Sequence, residues 1–150
     1  MQPGVVIRPA AETDDLAALY AAAFPREDLV PLVRALAGRG DVLSIVALAG
    51  DDLAGHVAFT RCRVTGRADS VALLGPLAVA PARQRQGIGG ALLREGLRRL
   101  AAEGVARVLV LGDPAYYGRF GFRPDAAVAP PIAGTLDVPA PWRDRALWGA

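Results

Sequence analysis

The sequence predicts an α/β fold, on three observations. Residues Val71 to Leu111 read as strand, glycine turn, long helix and second strand, the unit that makes two strands run parallel. Two short helix-period stripes lie near the N-terminus, and a hairpin signal, Gly50-Asp51-Asp52, lies between them and that unit. A mixed, mostly antiparallel sheet with helices on both faces accommodates all three. The length of 150 residues fits one domain spanning 1–150, and a hydrophobic content of 53% supports an independent core.

Each element has its own warrant. Val5-Val-Ile-Arg-Pro9 is a short first strand. Thr13 or Asp14 then offers an N-cap for a helix in which Leu16, Leu19, Tyr20 and Ala23 repeat at helical spacing, and Pro25 ends it. A second helix is expected from Glu27 to Ala37, with Leu29, Val30, Val33 and Leu36 inward and Gly38 and Gly40 as its stop. Val42 to Leu48 and Leu53 to Val64 form the hairpin, Gly66 to Asp69 is another turn, and Val71 to Val79 is the next strand. Pro76 removes a donor from that strand's ladder and predicts a bulge, which splays the sheet locally.

Gly87 to Glu103 is the longest helix, with Ile88, Leu92, Leu93, Leu97 and Leu100 on its inner face and Gly104 as its C′ residue. Ala106 to Leu111 is a nearly continuous apolar strand, suited to burial on both faces. Asp113 and Pro114 open a short helix that Gly121 ends. Residues 126–150 are proline-rich and are expected to pack on the core as a loop, with Arg143 to Trp148 a candidate closing strand.

The turn before the long helix carries the chemistry. Bare N–H groups at a helix N-terminus attract anions, and glycines admit a phosphate close to the backbone. Gly87, Gly89 and Gly90 supply the glycines, and Arg83 and Arg85 add charge-assisted donors. The combination reads as a diphosphate site. A Walker A loop is ruled out because the chain contains no lysine, and a dinucleotide fingerprint is ruled out because Leu92 stands where a small residue is needed.

The segment that fits is Gln84-Arg85-Gln86-Gly87-Ile88-Gly89. It resembles the Gln/Arg-x-x-Gly-x-Gly/Ala signature with which the GNAT N-acetyltransferases hold the pyrophosphate of acetyl-CoA. A second segment, Leu111-Gly-Asp-Pro-Ala-Tyr-Tyr-Gly-Arg-Phe-Gly-Phe122, resembles the family's Tyr-x-Lys/Arg-x-Gly-Phe stretch after its fifth strand, in the form seen in one branch of small bacterial members. The resemblance implies a GNAT fold with a splayed parallel strand pair.

It also implies transfer of an acetyl group from acetyl-CoA to a primary amine by direct attack, with no metal and no covalent enzyme intermediate. By the same resemblance, the backbone of Leu77, Ala78 and Val79 runs along the pantetheine arm. Arg83, Gln84, Arg85, Gln86, Gly87, Ile88, Gly89 and Gly90 surround the diphosphate. Tyr117 aligns with the general acid for the departing thiolate, and Tyr116 is its rival. Two other classes stay open: a non-catalytic acyl-CoA-binding or regulatory module with the same cleft, and a nucleotide-binding protein that uses the glycine turn.

Composition removes other chemistry. A single cysteine, Cys62, excludes an intrachain disulfide, and with one histidine, His56, no Cys/His zinc site is assembled. The absence of lysine excludes an internal aldimine. A net charge of +2 with scattered arginines gives no nucleic-acid surface. No apolar run approaches the roughly 20 residues of a membrane span, and Met1-Gln-Pro-Gly-Val-Val does not read as a secretory signal, so a cytoplasmic protein is expected.

The expected partners are a small-molecule or peptide amine, with no nucleic acid and no membrane, on a monomer or homodimer. The general base is open among Glu27, Asp28, His56 and water. Asp113 reads as a helix cap before it reads as a catalytic carboxylate, and Cys62 as a small buried apolar residue.

Overall fold

The computed structural model describes residues 4–62, 70–111, 114–124 and 142–146. The chain divides into two compact units, the first comprising residues 1–59 and 76–96 and the second residues 60–75 and 97–150.

The first unit begins with β1 (Val5–Pro9), α1 (Leu16–Ala23), α2 (Val30–Leu36) and β2 (Val42–Ala49), followed by β3 (Asp52–Cys62) as far as Phe59. It also holds the end of β4 (Val71–Val79) and most of α3 (Ile88–Ala102). β1 pairs antiparallel with β2, from Val5↔Ala49 to Pro9↔Ile45. β2 and β3 are neighbours, as the Gly50 turn predicts, with Gly50 at φ +62°.

Side chains alternate across β3, so its two faces meet different helices. Gly55 faces α3, where a Cβ would stand 2.9 Å from Leu92 Cδ1 and 3.2 Å from Ile88 Cγ2. Further along the same face, the Phe59 ring lies over Gly96 of α3, and a Cβ there would come within 2.1 Å of it. His56 points the other way, to Tyr20 of α1. The core under α1 and α2 gathers Leu19, Tyr20, Val33 and Ala78, with Phe24, Leu29 and Ala80 packed against it.

Two helix starts differ from the sequence expectation. The N-cap of α1 is Asp15, whose carboxylate accepts from Ala18 N–H at 3.0 Å, and not Thr13 or Asp14. Asp14 is engaged elsewhere: it takes a bidentate pair of bonds from Arg8 of β1, at 2.8 and 2.9 Å, and the Ala11 N–H at 2.7 Å. The Arg8 guanidinium holds the Asp14 carboxyl below its ordinary pKa, against the opposing effect of desolvation. α2 begins at Val30 instead of Glu27, because Pro31 occupies its first turn, where a missing N–H costs nothing. Glu27 and Asp28 therefore lie in the connection before α2.

The second unit holds the start of β4, the end of α3, β5 (Arg107–Leu111), α4 (Pro114–Gly118), β6 (Arg123–Pro124) and β7 (Trp142–Ala146). β4 and β5 pair in parallel over Val71–Leu74 and Arg107–Val110, the strand–helix–strand geometry the sequence predicts. The pairing stops at Leu74. Gly75 follows at φ +145°, a conformation that favours glycine, and then Pro76, while β4 itself continues to Val79. β7 pairs antiparallel with β5 and with β6, which gives the proline-rich C-terminal region its closing strand at Trp142–Ala146.

α3 ends at Ala102. Gly104 N–H donates to Ala101 O at 3.0 Å and Val105 N–H donates to Leu100 O at 3.0 Å, with Gly104 at φ +89° as the expected C′ residue. α4 is shorter than expected and stops at Gly118, with Gly121 at φ +89° in the turn beyond it. The Gly66–Asp69 turn, Asp113 and the prolines of residues 126–141 lie outside the described residues.

Candidate functional site

The phosphate turn is built by β4 running into α3. Ala80 N–H donates to Ala54 O at 2.8 Å, which holds the end of β4 against β3. A single 3₁₀ turn, Pro81–Arg83, reverses the chain. Gln84 Nε2 then donates to Val79 O at 3.1 Å and ties the turn back to β4.

Arg85 stands at φ +63°, the one non-glycine residue with positive φ among those described, and Gly87 follows at φ +84°. A non-glycine residue in this region costs on the order of 1–3 kcal/mol and concentrates at ligand sites. The first hydrogen bond of α3 runs from Ala91 N–H to Gly87 O at 3.0 Å. The N–H groups of Ile88, Gly89 and Gly90 precede that ladder and stand at the positive end of a 15-residue helix. Arg85 is exposed, while Arg83 is half-buried and lies 3.7 Å from Asp52, an ion pair too open to hold it firmly. This donor set suits a diphosphate.

The residues named for the pantetheine arm separate by face. Ala78 is 2% exposed and packs in the core with Leu19, Tyr20 and Val33, whereas Leu77 and Val79 are half-buried. What they offer a ligand is backbone.

In the second unit, α4 presents two tyrosines. The Tyr117 ring lies edge-on to Phe122 at 5.8 Å and to Tyr116 at 5.0 Å. Burial, and secondarily the neighbouring Tyr116, pushes its hydroxyl up to about 12. Tyr116 is raised too, by burial, against the opposing effect of the Arg119 guanidinium, which sits 4.8 Å above its ring. Arg119 also faces the Phe120 ring, so Tyr116 belongs to a cation–aromatic stack.

The candidate bases differ sharply in setting. Glu27 and Asp28 are exposed and line a cleft of about 320 Å³ with Ala21, Phe24, Pro25, Arg26 and Val30. His56 is 2% exposed, with the Tyr20 hydroxyl 2.7 Å from Nδ1 and the Ser44 hydroxyl 2.7 Å from Nε2. Burial drives its pKa down to about 4, against a smaller upward pull from Asp14. The Cys62 thiol is half-buried and raised by that burial, so it is no activated nucleophile. Among the described residues, no group of three or more His, Cys, Asp or Glu is placed to hold a metal, and no helix is long and apolar enough to cross a membrane.

Sequence reasoning missed Tyr20 and Ser44 as polar partners, because a tyrosine in an apolar stripe and a lone serine carry no local signal. It also missed Gly55 and Gly96 as close-approach residues, for the same reason.

A family model described as the acetyltransferase (GNAT) family matches residues 13–122. The chain belongs to the GNAT family. Among curated GNAT relatives, an uncharacterized N-acetyltransferase, YjhQ, from Escherichia coli K12 is 38% identical over 112 residues, covering 71% of this chain and 58% of that protein. The chain spans little more than half the length of the curated relatives it matches.

Two solved GNAT structures share the fold. The Escherichia coli acetyltransferase YhbS in complex with CoA superposes with a TM-score of 0.80 at 29% identity, covering 98% of this chain and 84% of that one. A GNAT acetyltransferase from Brucella melitensis in complex with acetyl-CoA gives a TM-score of 0.72 at 31% identity, covering 97% and 89%.

Proposed function

We propose that this chain transfers an acetyl group from acetyl-CoA to a primary amine by direct attack. The observation that carries the reading is the turn at Arg85–Gly90, where a left-handed arginine and Gly87 lead into a helix start. Backbone strain of that kind concentrates at ligand sites, and the N–H donors beside it suit a diphosphate. Relatives with CoA or acetyl-CoA bound support the choice of diphosphate. Arg83, Gln84, Arg85, Gln86, Gly87, Ile88, Gly89 and Gly90 then bind the phosphates, and the backbone of Leu77, Ala78 and Val79 receives the pantetheine arm. Acetyl-CoA, the cosubstrate, supplies an acyl group already activated as a thioester.

Tyr117 serves the departing thiolate. A phenol near 12 faces a thiol whose pKa is about 8.5 in its ordinary state, so at equilibrium the proton stays on tyrosine. The hydroxyl therefore helps by hydrogen-bonding the charge as it grows on sulfur, and that interaction strengthens only toward the transition state. On the acceptor side, the carboxylates of Glu27 and Asp28 suit a protonated amine and the relay of its proton to water. His56 is enclosed and weakly basic, and it is not given that part.

An amine-panel assay that detects free CoA thiol tests the reaction, and CoA-induced thermal stabilisation tests the turn. Gly89→Val should abolish the thermal shift, whereas an undiminished shift means the phosphates bind elsewhere. Tyr117→Phe should cut turnover by about 10²–10³-fold with little change in CoA affinity. If Tyr116→Phe is crippled instead, the role belongs one residue earlier.

A further inference from the structure

A polar chain that the acetyl-transfer reading leaves unused is buried in the same unit as the acceptor cleft. His56 of β3 is enclosed between the Ser44 hydroxyl of β2 and the Tyr20 hydroxyl of α1, each at 2.7 Å. In the neutral ring one nitrogen donates its N–H and the other accepts an O–H. Three apolar side chains would fill this space without needing partners. What the hydrogen-bonded set adds is direction, because each bond fixes a distance and an angle.

That direction is passed to α1. The Tyr20 ring stacks on Phe24 one turn later, with centroids 6.1 Å apart and planes 16° from parallel. The Tyr20 carbonyl also accepts the Phe24 N–H at 2.9 Å, which closes the helix. Phe24 lines the cleft with Ala21, Glu27 and Asp28. It packs against the same apolar cluster as Ala78 and Ala80, so one cluster joins the cleft wall to the strand end assigned to the pantetheine arm.

We infer that Ser44, His56 and Tyr20 are positioning residues for the amine acceptor, setting the place of the Phe24 ring and so the shape of the cleft. The inference rests on the acetyl-transfer reading. Arg26 lines the same cleft and offsets one of its two carboxylates, so the acceptor class it fits is a small amine of low charge, held between the Phe24 face and Glu27 or Asp28.

The test uses the full chain with isotope-labelled phenylalanine, the Phe24 ring signal being identified by its loss in Phe24→Leu. Ser44→Ala removes the hydroxyl from Nε2, and Tyr20→Phe removes the one from Nδ1. Both should move the Phe24 signal and leave that of Phe59 in place. With propylamine as the probe acceptor, both should raise its KM by about tenfold while the acetyl-CoA KM stays within about twofold.

Tyr20→Phe combined with Phe24→Leu should be non-additive, because both act through one ring. An unmoved Phe24 signal, additive effects, or two KM values rising together overturns the inference and leaves the chain a purely structural part. Should Tyr20→Phe fail to fold, Ser44→Ala carries the comparison. Wild-type protein that neither binds CoA nor releases thiol with any amine breaks the acetyl-transfer reading instead, and the ring signals still decide whether the polar chain places Phe24.

Discussion

On one side of β3, Gly55 and Phe59 meet α3; on the other, His56 meets α1. The α3 side is dry and sterically tight. It works because two positions have no side chain, and Phe59, Ile88 and Leu92 fill the space left. The α1 side adds buried hydrogen bonds to its apolar cluster, and its helices are short, with Leu32 of α2 43% in solvent. The difference matches what each side supports. Close packing fixes the position of the α3 N-terminus, as the proposed diphosphate site asks. α1 and α2 line the cleft proposed for the amine acceptor, and the hydrogen-bonded set behind that wall is directional.

The most damaging way to probe this contrast is Gly96→Val. Its Cβ would stand 2.1 Å from Phe59 Cε2, and Phe59 is fully buried, so neither partner has room to yield. The cost should exceed about 3 kcal/mol in chemical denaturation, and Phe59→Leu in the same chain should recover part of it. Full stability in Gly96→Val alone would mean that the α3 side is no tighter than the α1 side.

A fall in pH reaches the α1 side through His56. The His56 ring binds its proton at about 4 in the folded protein and near its ordinary 6.5 when unfolded. Its contribution is therefore complete above pH 6.5 and is lost as pH falls toward 4, because the unfolded chain takes up the proton first. At roughly 1.4 kcal/mol per pKa unit, the loss amounts to about 3 kcal/mol. Asp14, the charge that faces the ring, keeps its own carboxyl ionised lower than usual, and its contribution, also lost as pH falls, adds to the lower end of that limb. His56→Gln should flatten the stability curve between pH 6.5 and 4. A curve of unchanged slope would place its origin in the carboxylates.

The smallest expected effect is local. Asp15→Ala removes the cap on Ala18 N–H and should cost about 1 kcal/mol. CoA-induced thermal stabilisation should persist undiminished, since the cap belongs to α1 and the phosphate turn to α3. A lost CoA shift would show that the two sides are less independent than their construction suggests.

These contrasts also mark what the sequence made legible. β1 came out residue for residue, and the strand, turn and helix around Gly87 were readable because their signals are local: alternation, glycine spacing and helical stripes. The cap of α1 was misplaced because Asp14 is recruited by Arg8 on another element, and nothing near Asp14 announces that. α2 starts later than its apolar stripe predicts, because Pro31 falls in the first turn and the stripe itself carries no boundary. Gly55 and Gly96 looked like ordinary glycines, since the ring and branches that need their space arrive from other parts of the chain. Of the candidate site, the phosphate turn was legible as a motif. The surroundings of His56 were not, because Ser44 and Tyr20 meet it only in three dimensions.

The enclosure of Tyr117 bears on how kinetic profiles are to be interpreted. A phenol pushed up to about 12 does not titrate across the range in which enzymes are assayed. Any rise or fall of rate with pH below that value reports another group. On the proposed mechanism, an inflection in the alkaline range is expected from the amine shedding its proton, and its position then reports the basicity of the nucleophile. The buried hydroxyl thus turns an ordinary pH titration into a gauge of the acceptor, readable before that acceptor has been identified.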